Sequence, residues 1–255
     1  MNNSVSHLVS HAFDAALALV YPQPCAICGR SVESRHDGVA CERCWESAPL
    51  FRGDETLCWK CGAPSPAPVS DDKRETVRCG RCDDYAFTNA RACGLYDGAL
   101  RASILELKRQ PHIARRVAER MYETQRRAPL VDANVVIPVP LHSARERERG
   151  FNQALVLAQA LARLSHLPLD PHILVRRTHT KMHRAGMDAK ARRQSLTDAF
   201  AVRHPKLVAG KRVLLVDDVF TTGATPSACA SVLKDAGTDR VFVLTIARAI
   251  SFAQN

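Results

Sequence analysis

The sequence predicts an α/β protein, a parallel sheet with flanking helices preceded by a small metal-ribbon module, and three observations carry that expectation. Four Cys-x-x-Cys pairs all fall before residue 83. Beyond residue 91, short apolar runs rich in β-branched residues alternate with segments of helical periodicity. One of those runs ends on two adjacent aspartates, followed by a threonine-rich turn and a helix start. The 255 residues are enough for one or two domains with cores of their own. A content of 46% hydrophobic and 24% charged residues is ordinary for a globular chain, and no stretch has the roughly 18 uncharged apolar residues of a membrane helix. Aromatic residues make up only 5%, which argues against a protein built mainly on platforms for stacking bases.

Taken in order, residues 1–22 place Val5, Leu8, Val9, Ala12, Phe13, Ala16 and Leu17 at helical spacing, so an amphipathic helix docked on the body is expected there. This segment has no basic start and carries Asp14 amid its apolar residues, unlike a secretory signal. A cytoplasmic location is therefore expected, where cysteines stay reduced and this spacing favours metal over disulfides.

Residues 23–90 read as a double zinc ribbon. The pairs are Cys25/Cys28, Cys41/Cys44, Cys58/Cys61 and Cys79/Cys82, with twelve residues between Cys28 and Cys41 and seventeen between Cys61 and Cys79. Each interval suits two knuckles closing one tetrahedral four-cysteine site. Two zinc ions in sequential ribbons is the leading assignment, and an interleaved pairing of the knuckles stays open. Gly29, Gly62 and Gly80 stand where a knuckle needs positive φ. A site of four thiolates around one zinc carries a net charge of about −2. The module is thus acidic and reads as a folding staple, poorly suited to gripping phosphates alone.

Residues 91–255 form the sheet domain. Strands are expected at 92–96, 135–139, 213–216 and 241–246, and helices at 101–108, 113–126, 154–164 and 225–236, the last closed by Gly237. Strands separated by helices make a parallel sheet, and ligands of such sheets sit at the carboxyl ends of the strands. Cys93 and Cys229 have no partner at metal spacing and read as small core residues.

The stretch Asp217-Asp218-Val219-Phe220-Thr221-Thr222-Gly223-Ala224-Thr225 follows the third strand. Two carboxylates are costly to bunch at the end of a buried strand unless sugar hydroxyls or a hydrated cation neutralise them. The threonines, the glycine and the helix N-terminus that follow form a cradle for a phosphate. These residues resemble the PRPP loop of type I phosphoribosyltransferases: a hydrophobic strand, two acids, then Thr-Thr-Gly-x-Thr. The resemblance implies a type I phosphoribosyltransferase-like sheet. It also implies that Asp217 and Asp218 are the catalytic acids, holding the ribose hydroxyls with magnesium, while Thr221, Thr222, Gly223, Ala224 and Thr225 hold the 5′-phosphate.

A second loop, Pro140 to Gln153, stands after the strand at 135–139, the place where those enzymes bind pyrophosphate. Arg145, Arg147, Arg149 and Gly150 are its pyrophosphate-binding residues by the same resemblance. With the cysteine knuckles, Tyr96-Asp97, Leu107-Lys108 and the string Arg149-Gly-Phe-Asn-Gln153, the chain from Cys25 to Arg248 resembles the ComF/GntX family of competence-associated proteins. That resemblance implies PRPP binding in DNA uptake and natural transformation, with handling of incoming single-stranded DNA and a DNA-uptake helicase or recombination protein as partner. It points to a phosphoribosyltransferase of unknown acceptor. Two alternatives are a nucleobase phosphoribosyltransferase of salvage metabolism and a non-catalytic PRPP-sensing DNA-binding factor.

Charge agrees with a phosphate-rich partner. Lys and Arg number 36 against 26 Asp and Glu, a formal +10, and the excess is gathered at 101–127 (+5), 141–149 (+1) and 176–193 (+6). The last stretch, with Gly186, suits a mobile lid, in which His179 and His183 read as solvated.

Overall fold

The computed structural model describes residues 23–80, 82–177 and 196–250. The expected N-terminal helix and most of the basic lid, with His179 and His183, lie outside these residues. The elements in chain order are α1 (Glu42–Glu46), β1 (Asn89–Ala92), α2 (Gly98–Leu107), α3 (Arg115–Gln125), β2 (Val135–Pro138), α4 (Ser143–Arg149) and α5 (Gln153–Ser165). They continue with β3 (Leu174–Arg176), β4 (Phe200–Val202), α6 (Pro205–Val208), β5 (Arg212–Phe220), α7 (Ala224–Asp235) and β6 (Arg240–Arg248). Four strands form one sheet in the order β1-β6-β5-β2, and every pairing in it is parallel. β3 and β4 make a separate antiparallel pair.

Alternation along the central strands divides the core in two. Leu214, Val216, Phe242 and Leu244 face one side, against Leu100 and Ile104 of α2, Val117 and Met121 of α3 and Leu157 and Leu161 of α5. Val213, Leu215, Val241 and Val243 face the other, against Cys229 and Leu233 of α7 and the β3–β4 pair. The cysteine module joins both sides. Cys25, Val32, Cys41 and Trp45 are buried in the first cluster, and Cys58, Cys61, Cys82 and Phe87 in the second. Cys93 and Cys229 are buried core residues, as expected.

Both open edges of the sheet are covered, which removes the unpaired rows that invite aggregation. Along β1 the cover is the cysteine module: Ala90 N donates to Lys60 O at 2.7 Å, and Phe51 N donates to Cys93 O at 2.8 Å. Along β2 it is the turn after α5, where Val136 N donates to Pro168 O and Asp170 N to Val136 O.

Three boundaries differ from the expectations. The first strand spans Asn89–Ala92 where 92–96 was expected. Cys93 N is shared between Thr245 O and Ile246 O, so the ladder slips there, and Gly94 and Leu95 make only isolated bridges. The third strand runs on to Phe220, because β6 continues beside it to Arg248. The Pro140–Gln153 segment contains a helix, α4, closed by Gly150 at φ 78°.

Candidate functional site

β2 ends at Pro138, paired with Val216, whereas β5 runs four residues further. Asp217 and Asp218 therefore lie where their neighbour on that side has stopped, at the open carboxyl end of the sheet. Each carboxylate is oriented by the next amide: Asp218 N donates to Asp217 Oδ1 at 2.9 Å and Val219 N to Asp218 Oδ1 at 2.8 Å. They line a cavity of about 470 Å³ with Tyr96, Lys108, Arg145, Arg149, Gln153, Arg176, Thr221 and Thr225 among its walls. That volume lies within the range of small-molecule sites.

Four cations face two carboxylates in this cavity. Lys108 Nζ, at the end of α2, lies 3.8 Å from Asp218 Oδ2. Arg176 stands over the Phe200 ring at 5.3 Å, with Nε buried and without a hydrogen bond among the described residues. Gln153, the first residue of α5, is only 4% exposed, and its Nε2 makes no hydrogen bond among the described residues. A buried donor left unmet costs about 1–3 kcal/mol, so this one awaits an acceptor. Asn152 sets the start of α5 by accepting from Ala154 N and donating to Val139 O.

Burial under the strand end, reinforced by the Asp218 carboxylate, pushes Asp217 up to about 8. The folded protein without ligand thus holds a proton there at neutral pH. Folding stability is therefore highest below the ordinary carboxylate range, where Asp217 is neutral in folded and unfolded chains alike, and it declines as pH rises toward 8 and ionisation becomes costly only in the fold. A ligand that prefers the ionised acid must expel the proton, so its affinity is expected to strengthen from pH 6 to 8, by up to about tenfold per pH unit. Calorimetric titration with PRPP at both pH values checks this, and Asp217→Asn should flatten the profile to what the ligand's own phosphates contribute.

The other expected phosphate residues are divided by the local geometry. Thr221 and Thr225 line the cavity; Thr222 and Ala224 line a neighbouring cavity of about 580 Å³ instead. Gly223, at φ 75°, is the N-cap of α7, and a Cβ there would come within 2.8 Å of the Phe220 ring and 2.9 Å of Tyr85. In α4, Arg145 and Arg149 are one turn apart and both reach the cavity, while Arg147 falls on another face. Lys108, Gln153 and Arg176 gain a place in the site that no spacing assigned. Lys108 and Gln153 were nevertheless within the strings that carried the family resemblance.

The cysteines gather in two sequential groups, Cys25/Cys28/Cys41/Cys44 and Cys58/Cys61/Cys79/Cys82, with the sulfurs of each within 4.8 Å of one another. Tetrahedral zinc at 2.3 Å from each sulfur requires edges of about 3.8 Å. The separations are 3.8 Å for Cys25–Cys44 and 3.6 Å for Cys28–Cys41, Cys58–Cys82 and Cys61–Cys79. The donor set therefore fits zinc in sequential ribbons and disposes of the interleaved pairing. Burial and the three adjoining sulfurs push Cys44 up to about 12, so the four sulfurs cannot all ionise together without a cation between them.

Part of the basic surface is already engaged. Arg115 Nη2 lies 3.0 Å from Asp37 Oδ1 and Arg116 Nε 3.3 Å from Asp37 Oδ2, clamping the first ribbon to α3. Arg120 pairs with Glu123 at 2.7 Å.

An acid pair, a helix N-terminus and a ring of cations at the open end of a parallel sheet, with two four-cysteine sites built into the same core, define a parallel α/β protein carrying a double zinc ribbon. The double zinc ribbon domain family matches residues 16–83. Over nearly its whole length the chain is 30% identical to DNA utilization protein YhgH of Escherichia coli O157:H7, covering 91% of this chain and 100% of that protein. It is 31% identical to competence protein F of Haemophilus influenzae, covering 88% of this chain and 96% of that one. The chain belongs to the family of these proteins, ComF/GntX. Competence protein ComFC of Bacillus subtilis matches at 36% over 103 residues, 40% of this chain and 39% of that one. Among solved structures it is similar to purine phosphoribosyltransferase from Pyrococcus horikoshii, with a TM-score of 0.34, 14% identity and coverage of 55% and 88% of the two chains. A second likeness is to the glutamine PRPP amidotransferase from B. subtilis, with a TM-score of 0.37, 21% identity and coverage of 51% and 25%.

Among the described residues no helix is long and apolar enough to cross a membrane.

Proposed function

We propose that this chain binds PRPP at the acid-pair cavity and works in DNA uptake, handling single-stranded DNA in the cytoplasm as a phosphoribosyltransferase-like factor. One observation carries the reading: two carboxylates suited to vicinal hydroxyls, Thr221 and Thr225 on either side of the α7 N-terminus and suited to a phosphate, and Lys108, Arg145, Arg149 and Arg176 suited to a pyrophosphate line one cavity. The relatives' names, competence and DNA utilization, support the process. Asp217 and Asp218 would hold the ribose and Thr221 to Thr225 its 5′-phosphate, while Arg145, Arg149 and Gln153 meet the pyrophosphate. Loss of pyrophosphate from C1′ builds positive charge on the ribose and negative charge on the leaving group, which the carboxylates and the cations respectively stabilise. Magnesium, for which the two carboxylates offer hard oxygen ligands, would neutralise pyrophosphate charge. A DNA-uptake helicase or recombination protein is the partner class this role implies.

The DNA arm is tested by salt dependence. Affinity for single-stranded DNA is expected to fall with salt at a slope of about −0.7 per phosphate contacted, and Arg145→Gln with Arg149→Gln should reduce that slope by up to about 1.4. Fluorescence anisotropy at graded salt reads both. Binding that is absent at low salt, or indifferent to it, would contradict DNA handling; pyrophosphate release in the same mixtures reports whether DNA serves as acceptor.

A further inference from the structure

The second ribbon touches the phosphate loop directly. Seven residues after Gly80 opens the last knuckle, the chain supplies Phe87, and between them Tyr85 N donates to Cys82 O at 3.1 Å, so the knuckle sets the position of Tyr85. The Tyr85 hydroxyl donates to Thr222 O at 2.6 Å, and Ala86 N donates to Ser227 Oγ in the first turn of α7 at 3.0 Å. Tyr85, Phe87 and Phe220 form an aromatic cluster with centroids 5.0 to 6.4 Å apart, packed beneath Gly223. From the opposite side, Arg248 donates to Cys61 O at 2.7 Å, its Nη2 lies 3.8 Å from Cys61 Sγ, and its guanidinium covers the Phe220 ring at 4.4 Å. Phe220 pairs in register with Arg248 and immediately precedes Thr221.

The geometry points to a positioning role: Tyr85 and Arg248 tie the second four-cysteine site to the Phe220–Ser227 loop and hold its backbone in the shape that receives a phosphate. The first site has no such connection among the described residues; Cys25 and Cys41 are buried against the other face of the sheet, with α2 and α3, Cys44 packs beside them and Cys28 is exposed. The second ribbon is thus the footing of the loop, and the first is a clamp on the helices. The role in ligand binding rests on reading Thr221 to Thr225 as the 5′-phosphate loop, whereas the role in fixing the backbone does not.

The test separates these two levels. Tyr85→Phe and Arg248→Met should each keep two zinc ions per chain by metal analysis, yet speed amide hydrogen exchange of ligand-free protein at residues 221–227. Cys79→Ser should do the same with loss of one zinc, and Cys28→Ser should lose one zinc and leave the loop's exchange unchanged. Affinity for ribose 5-phosphate should fall by about three- to tenfold in Tyr85→Phe, the effect of one neutral hydrogen bond, with affinity for inorganic pyrophosphate unchanged. Unaltered loop exchange in Tyr85→Phe and Arg248→Met, or equal loosening by Cys28→Ser and Cys79→Ser, would overturn the positioning role. If wild-type protein ignores ribose 5-phosphate, the ligand reading fails while the exchange measurements still decide the footing.

Discussion

Replacing Cys58 and Cys61 together by Ser is expected to lower the zinc content from two ions per chain to one and to melt more than the ribbon that carries them. Cys58 and Cys61 are 1% and 2% exposed and share a buried cluster with Phe87, Ala90, Val213, Leu215 and Val243. The knuckle also supplies the Lys60 carbonyl that covers the open edge of β1 and the Cys61 carbonyl that receives Arg248. Structural zinc contributes about 10–16 kcal/mol of binding free energy in small metal-folded units, against a typical domain stability of 5–15 kcal/mol. Loss of the second-site ion is therefore expected to loosen, beyond the ribbon itself, the β1 edge and the Phe87 cluster that this ribbon supports. Metal analysis alongside circular dichroism should show one zinc, reduced secondary structure and an early thermal transition. Two zinc ions, or an unchanged melting curve, would contradict the integration of the ribbon with the sheet.

The second large effect concerns the acid pair. Asp217→Asn with Asp218→Asn keeps the size of both side chains and removes both charges. Each charge-assisted hydrogen bond to a sugar hydroxyl contributes about 1.5–3 kcal/mol, so the double variant should lose at least tenfold, and about 10²-fold or more if both bonds are broken, in PRPP affinity. Removing the Asp217 carboxylate should also raise the thermal stability of the empty protein at pH 8 and leave it nearly unchanged at pH 4. The sign follows from Asp217, whose raised value makes ionisation costly in the fold only above the ordinary carboxylate range. Weaker binding with greater stability is the pattern of a functional site that is strained when empty.

Most of the sheet was legible because its strands are buried on both faces and so read as unbroken apolar runs, Val213 to Val216 and Val241 to Ile246 above all. The acid pair was legible for the opposite reason, since two charges at the end of such a run need a partner. Cysteine spacing gave the sequential grouping as the leading assignment, and the sulfur separations decided it. The rest depends on contacts between distant parts of the chain. Lys108, Gln153 and Arg176 meet at one cavity only because β2 stops short, α2 ends beside the carboxyl end of β5 and β3 pairs with β4. Tyr85 reaches Thr222 across 137 positions. The ribbons' hydrophobic residues, Val32, Trp45 and Phe87, are isolated in sequence and show no period. Their burial in two different faces of the sheet core therefore leaves no local pattern to read. Helix α4 was hidden in its alternating Arg and Glu, a pattern common to solvated loops and short exposed helices alike.

The central claim, that the cavity at the end of β5 takes PRPP, is tested most directly by calorimetric titration of the zinc-loaded protein with PRPP and magnesium, run on wild type and on the Asp217→Asn, Asp218→Asn double variant. The account predicts saturable binding at one site per chain in the wild type, with affinity reduced at least tenfold in the variant. Wild-type protein that gives no binding heat at any pH from 6 to 8, or a variant that binds as tightly as wild type, would contradict it.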